Sequence, residues 1–146
     1  MPSFVGRVAT VLSLVVLAGC GDLTGPKSLA EARQLWDDQN LSYYQYVGTR
    51  AAFVGSAGPV TVIVDDSQVV RVLDESGAEV STSGWPTIEA LFDAAERAIA
   101  DEELNQIEFD QTAGYPTLLD TGDWALDGGF RRTVSNLRST LNERGT

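Results

Sequence analysis

Val60-Thr61-Val62-Ile63-Val64-Asp65-Asp66-Ser67-Gln68-Val69-Val70-Arg71-Val72-Leu73 is the stretch on which the reading of the fold rests. Two valine-rich runs flank Asp65-Asp66-Ser67, so the chain turns back there and makes a hairpin. Asp66-Ser67 is an acceptable tight turn, weaker than Asp-Gly because serine tolerates positive φ poorly. Thr61, Asp65 and Arg71 alternate with the valines, which gives the hairpin one covered and one wetter face.

Upstream, Ser28-Leu29-Ala30-Glu31 fits a capping box, in which the serine oxygen satisfies an orphan helix N–H and the glutamate reaches back. Leu29, Ala32, Leu35 and Trp36 then recur at helical spacing, predicting a helix over 29–38 with Trp36 as a core anchor. Tyr43-Tyr44-Gln45-Tyr46-Val47 is β-rich, and a strand of about eight residues from Leu41 fits it. Residues 51–58 are small and glycine-containing and read as a mobile loop.

Downstream, residues 74–84 are polar and turn-rich. Thr87 caps a second helix whose stripe is Ile88, Leu91, Phe92, Ala95 and Ile99, with Glu89 favourably placed in its first turn. Asp101-Glu102-Glu103 opposes the helix dipole and turns into solvent. Ile107-Glu108-Phe109-Asp110 alternates as a strand, Gly114-Tyr115-Pro116 turns, and Thr117-Leu118-Leu119 returns. After an Asp/Gly-rich loop, residues 130–137 form a half-buried strand. The elements predict an α+β fold in the order α-β-β-β-α-β-β-β, two helices packed on one face of an antiparallel sheet.

The N-terminus carries the layout of an export signal: Arg7, an apolar run over residues 8–17, then Leu17-Ala18-Gly19-Cys20. The run is about half the roughly 20 residues that a membrane span needs. Leu17, Ala18, Gly19 and Cys20 resemble the lipobox of bacterial lipoproteins. The resemblance implies cleavage before Cys20 and lipid on that cysteine, so the chain reads as a 1–19 signal peptide and a 20–28 lipid-anchored spacer. A single domain over 29–138 and a polar 139–146 tail follow. The expected address is the cell envelope, on a membrane, facing the periplasm or exterior.

Composition narrows the chemistry. The formal net charge is −11, one unit more negative without residues 1–19, whose only charged side chain is Arg7. Such a surface repels phosphate backbones, so nucleic acid is not an expected partner. The chain has no histidine and no cysteine beyond Cys20. Ser-His-Asp and Cys-His catalysis, ordinary zinc, copper and haem ligation, and structural disulfides are thereby removed. Carboxylates, hydroxyls, tyrosines, arginines and the single Lys27 remain.

Taken together, Trp36…Asn40…Tyr44-Gln45-Tyr46, the Val62-Ile63-Val64-Asp65 arm, Pro86-Thr87-Ile88-Glu89-Ala90-Leu91-Phe92, and Ile107-Glu108-Phe109-Asp110…Gly114-Tyr115-Pro116-Thr117 resemble domain of unknown function 6174. The likeness spans about residues 36–137. That family has no established activity, so the resemblance implies exported and lipid-anchored proteins without naming a reaction. Relatives often carry Cys-x-Cys where this chain has Ala52-Phe53-Val54, and a thiol role there does not extend to it.

Four candidate sites emerge. Tyr115, on a Gly-Pro turn, can present an aromatic contact surface, although closing the core edge is the plainer role. Trp124, inside the Asp/Gly-rich loop without periodicity, is the best candidate for an exposed contact residue. Asp120, Asp123 and Asp127 offer oxygens to calcium, but their spacing misses the EF-hand pattern. Glu108 and Asp110 share a strand face, as carboxylate pairs in glycosidases do, yet without an evident cleft. The expectation is a non-catalytic module that needs no cofactor or metal and binds an envelope protein or glycan. The alternative is a calcium-dependent or carboxylate-based sugar or peptidoglycan binder or hydrolase.

Overall fold

The computed structural model describes residues 25–139. Leu17, Ala18, Gly19 and Cys20, the signal segment, most of the spacer and all of the tail except Ser139 lie outside the described residues. Within them the chain forms α1 (Leu29–Asp38), β1 (Tyr43–Ala52), β2 (Gly55–Asp65), β3 (Gln68–Leu73) and β4 (Glu79–Val80). It continues through α2 (Ile88–Ala100), β5 (Leu104–Phe109), β6 (Pro116–Thr121), a 3-10 turn (Trp124–Leu126) and β7 (Phe130–Arg138). The strands make one seven-stranded sheet in the order β4-β3-β2-β1-β7-β6-β5. Every adjacent pair is antiparallel, and the fold is α+β with sheet predominant.

Local chemistry explains the helix ends. Ser28 Oγ accepts the Glu31 N–H at 3.2 Å, and the Glu31 carboxylate accepts from Lys27 N, one residue before the position a strict capping box uses. Thr87 Oγ1 accepts the Ala90 N–H at 3.1 Å and starts α2. On α2 the buried row is Ile88, Leu91, Phe92, Ala95 and Ala98. Ile99, expected in that row, is 48% exposed, because the buried row steps by three residues into the last turn.

Two sheet elements differ from the sequence reading. The loop expected over residues 51–58 is a hairpin: Ala52 pairs with Gly55, and Phe53-Val54 form the tip. β7 pairs with β1 as far as Ala52, so the first arm of this side-chain-poor hairpin has backbone partners on both edges, and the second arm is held by β1 rather than by its own pattern. The expected order also lacks β4, which pairs Val80 with Val72 and Glu79 with Leu73. Four strands, not three, separate the helices. The Asp66-Ser67 turn does form, with both residues at positive φ (49° and 62°), the geometry a two-residue hairpin turn requires.

Both helices contribute to one buried cluster. Ala32 and Trp36 of α1 and Ile88, Leu91, Phe92 and Ala95 of α2 join Tyr44, Tyr46, Val62, Val64, Val72, Leu119 and Val134 of the sheet. Trp36 meets Tyr44 edge-on at 5.1 Å between ring centres. Its indole N–H and the Tyr44 hydroxyl donate to the two oxygens of Glu89, each at 2.9 Å. Polar groups carried inward by the aromatics are therefore paired, as burial demands. No helix among the described residues is long and apolar enough to cross a membrane.

Candidate functional site

Strand alternation places the first part of the site. Leu119 lies in the buried cluster, so Asp120, the next residue on β6, turns to the other side of the sheet. There it stands opposite Arg131 of β7 and beside Gln106 of β5 in register. The backbone then leaves the sheet through Gly122, whose φ is +77°, in contact with the Gly128 carbonyl where a Cβ would not fit. Asp123 caps the 3-10 turn by accepting the Ala125 N–H at 2.8 Å. Its carbonyl accepts from Leu126 and Gly128. This chain of bonds sets Trp124 over Gly129, where only a hydrogen leaves room for the indole.

Asp120 is 4% exposed and its carboxylate is fully engaged. Oδ1 accepts Trp124 Nε1 at 2.9 Å and Asn105 Nδ2 at 3.2 Å; Oδ2 accepts Arg131 Nε at 2.9 Å and Nη2 at 2.6 Å. Burial opposes ionisation of this carboxyl. The hydrogen bonds from Trp124, Arg131 and Asn105, with the Arg131 charge, outweigh it and hold the pKa below the ordinary carboxylate value. The Arg131 guanidinium also lies 6.0 Å from the Trp124 ring centre. Around this knot opens a cleft of about 750 Å³ lined by Glu102, Glu103, Asn105, Asp120, Gly122, Asp123, Trp124 and Arg131. Its size is that of a small-ligand site, and its wall combines one indole with carboxylates, an amide and a guanidinium.

The sequence-derived candidates fare differently. Trp124 is half-buried and forms part of the cleft wall. Tyr115 is only 9% exposed and packs edge-on against Trp36 at 6.4 Å, so its ring belongs to the core edge. Asp120, Asp123 and Asp127 do not converge: Asp120 has four bonds on two oxygens, Asp123 caps the 3-10 turn, and Asp127 follows that turn in a left-handed conformation. A carboxylate has about four lone-pair positions, so Asp120 has none left for a cation. No group of three or more acidic side chains poised around a common point occurs among the described residues. Glu108 accepts from Gln106 on an exposed strand face, while Asp110 ties the 110–115 turn through the Thr112 and Ala113 N–H groups.

Glu102 and Glu103 read in the sequence only as part of a solvated acid run, and Asn105 and Arg131 carry no site signal there. Only the β5-β6-β7 register brings them beside Trp124. Arg131 reads as a charge on an alternating strand, without any sign of which acid it faces.

The model described as Family of unknown function (DUF6174) matches residues 28–139 of the chain. No curated protein and no solved structure matches it.

Proposed function

The chain belongs to the DUF6174 family, and from that premise we propose a non-catalytic binding module outside the cytoplasm, tethered to a membrane by lipid on Cys20. Leu17-Ala18-Gly19-Cys20 behind a short apolar run supports the tether. The absence of histidine and of any second cysteine supports binding over catalysis. In this reading the two helices cover one face of the sheet. The cluster they share with Tyr44, Tyr46, Val62 and Val64 supports that arrangement, and the opposite side, where Asp120 and Trp124 stand, is left for a partner.

The observation that carries the proposal is the Trp124 cleft. Its floor is a carboxylate–guanidinium pair already satisfied internally, which rigidifies the wall. Glu102, Glu103, the Asn105 amide oxygen and the indole face remain to meet a ligand rich in hydroxyl or amide groups, such as an envelope glycan or a protein surface. Co-sedimentation of the full-length protein with insoluble cell-wall glycan, and capture of envelope proteins, test this with Trp124→Ala as the comparison. Retention that falls severalfold in Trp124→Ala, in a variant still folded at the assay temperature by its cooperative melt, supports the reading. Wild-type protein that retains neither class of partner, or does so equally after the substitution, removes it.

A further inference from the structure

Arg50 on β1 and Arg132 on β7 are register partners, so two guanidinium side chains project from opposed positions on neighbouring strands. Arg50 Nη1 donates to the Ser83 carbonyl at 3.3 Å, and Arg132 Nη1 to the Gly84 carbonyl at 2.7 Å. The Arg50 guanidinium lies 5.0 Å from the Trp85 ring centre and that of Arg132 lies 5.5 Å from Phe130. These contacts position both groups, but they leave their charges unbalanced. Among the described residues neither arginine forms an ion pair, whereas Arg33 meets Asp93 and Glu96, Arg71 meets Glu79, and Arg131 meets Asp120.

That contrast is informative in a chain with 21 acidic and 10 basic residues. Among the described residues Arg97 and Arg138 also lack an ion pair, but only Arg50 and Arg132 stand side by side, and their mutual repulsion is a cost the fold sustains. Burial is the main cause that lowers the pKa of Arg132, and the nearby Arg50 charge adds to it. Beside the pair lies a hollow of about 390 Å³ bounded by Arg50, Ala52, Ser56, Phe130 and Arg132, with no carboxylate in its wall. Arg131 also borders it, but the Arg131 guanidinium is held by Asp120. The hollow shares only Arg131 with the wall of the Trp124 cleft.

We propose that this hollow binds a small oxyanion, a phosphate or carboxylate group, between Arg50 and Arg132. Each guanidinium has five N–H donors in a planar fork suited to paired oxygens, and here one is spent on a backbone carbonyl. A bound anion removes the repulsion between the two cations and gains charge-assisted hydrogen bonds in a partly desolvated place. The surrounding negative field selects for small anions held by contact and against extended polyanions drawn in by long-range attraction.

Titration of the full-length protein with sodium phosphate and separately with sodium acetate, at ionic strength balanced by chloride, tests the site. The Trp85 indole N–H resonance, beneath Arg50, is the readout. The expected result is a saturable shift with one or both anions; the anion that produces it distinguishes phosphate from carboxylate. Arg50→Gln and Arg132→Gln should each weaken binding by about tenfold or more, and Arg97→Gln should leave it unchanged. If Arg132→Gln fails to fold through loss of its Gly84 bond, Arg50→Gln decides alone. The absence of a saturable shift with either anion at tens of millimolar, or equal binding by Arg50→Gln, overturns the proposal.

Discussion

Trp36 and Glu89 join the two helices: the indole N–H of α1 donates to Glu89 Oε1 of α2 at 2.9 Å. Glu89 Oε2 accepts the Tyr44 hydroxyl, and the Tyr44 oxygen accepts the Ile88 N–H at 2.9 Å. One carboxylate thus serves α1, α2 and β1 together. It also sits in the first turn of α2, where the helix dipole favours a negative group.

Glu89→Ala leaves the Trp36 N–H and the Tyr44 hydroxyl without their acceptor in a part-buried place. The expected loss is about 3 kcal/mol, from two charge-assisted hydrogen bonds lost and their two part-buried donors left without that acceptor. Glu89→Gln keeps the shape and one acceptor and should cost about half as much. Urea unfolding at neutral pH measures both. Equal stability of the Ala variant and the wild type would show that water replaces the carboxylate without cost.

Asp120 gives the fold an acid-sensitive contact. Its folded pKa is lowered, so its contribution to stability is fully present above the unfolded aspartate value of about 3.9 and is lost as pH falls through the folded value. Asp74, held low by Ser76 and the Ala78 N–H at an exposed turn, shifts in the same direction. Unfolding free energy should therefore fall between pH 5 and pH 2 in the wild type. Asp120→Asn should start less stable at neutral pH and lose less over that interval. Parallel curves for the two proteins would assign the acid loss to other carboxylates.

Calcium is expected to leave the melting temperature unchanged at millimolar concentration. Asp120 is saturated by Trp124, Asn105 and Arg131, and Asp123 caps its own turn. A ligand that binds only the folded state raises apparent stability by mass action, so thermal melting with and without calcium is a direct check. A rise of several degrees would mean that the loop over residues 120–127 rearranges to free its carboxylates.

Gly114 is where the 110–115 turn touches α1. Its φ is +80°, and a Cβ there would fall 2.3 Å from the Ala32 carbonyl oxygen and 2.8 Å from Leu35 Cβ. Gly114→Ala should cost about 3 kcal/mol, combining positive-φ strain with overpacking against a helix backbone. Gly77→Ala is the comparison: its φ is +82° and its Cβ would meet nothing within 4 Å. It should lose only the strain component. Similar melting temperatures for the two variants would remove the packing component.

These elements also mark what the sequence discloses. Ser28 and Thr87 announce their helices because a cap is a local contact, and the hairpin at Asp66-Ser67 is written in valine alternation. Residues 51–58 carry no such alternation; Gly55, Ser56 and Ala57 are strand through their pairing across the hairpin with β1, and Ala51 and Ala52 gain a second partner in β7, some 80 positions away in the chain. β4 is two residues long and exists through its pairing with β3. The site follows the same logic. Trp124 stands out because it breaks the periodicity around it, while Arg131 on Asp120 and Arg50 beside Arg132 are products of register, which no single segment encodes.

The proposed lipid tether is tested most directly at Cys20. Cys20 is the only thiol in the chain, so attachment of a fatty-acid probe through sulfur has one available position. Cys20→Ser is expected to abolish labelling and to move the protein from the membrane to the soluble fraction. Each buried methylene contributes about 0.8 kcal/mol, and stable anchoring needs more than one acyl chain or a second membrane signal. The acidic chain offers no polybasic substitute, so release should be near complete. Trp124→Ala should remain membrane-bound, which separates loss of the anchor from loss of the binding cleft. Labelling and membrane retention unchanged in Cys20→Ser would overturn the lipid-anchored assignment and leave the cleft to be tested independently of it.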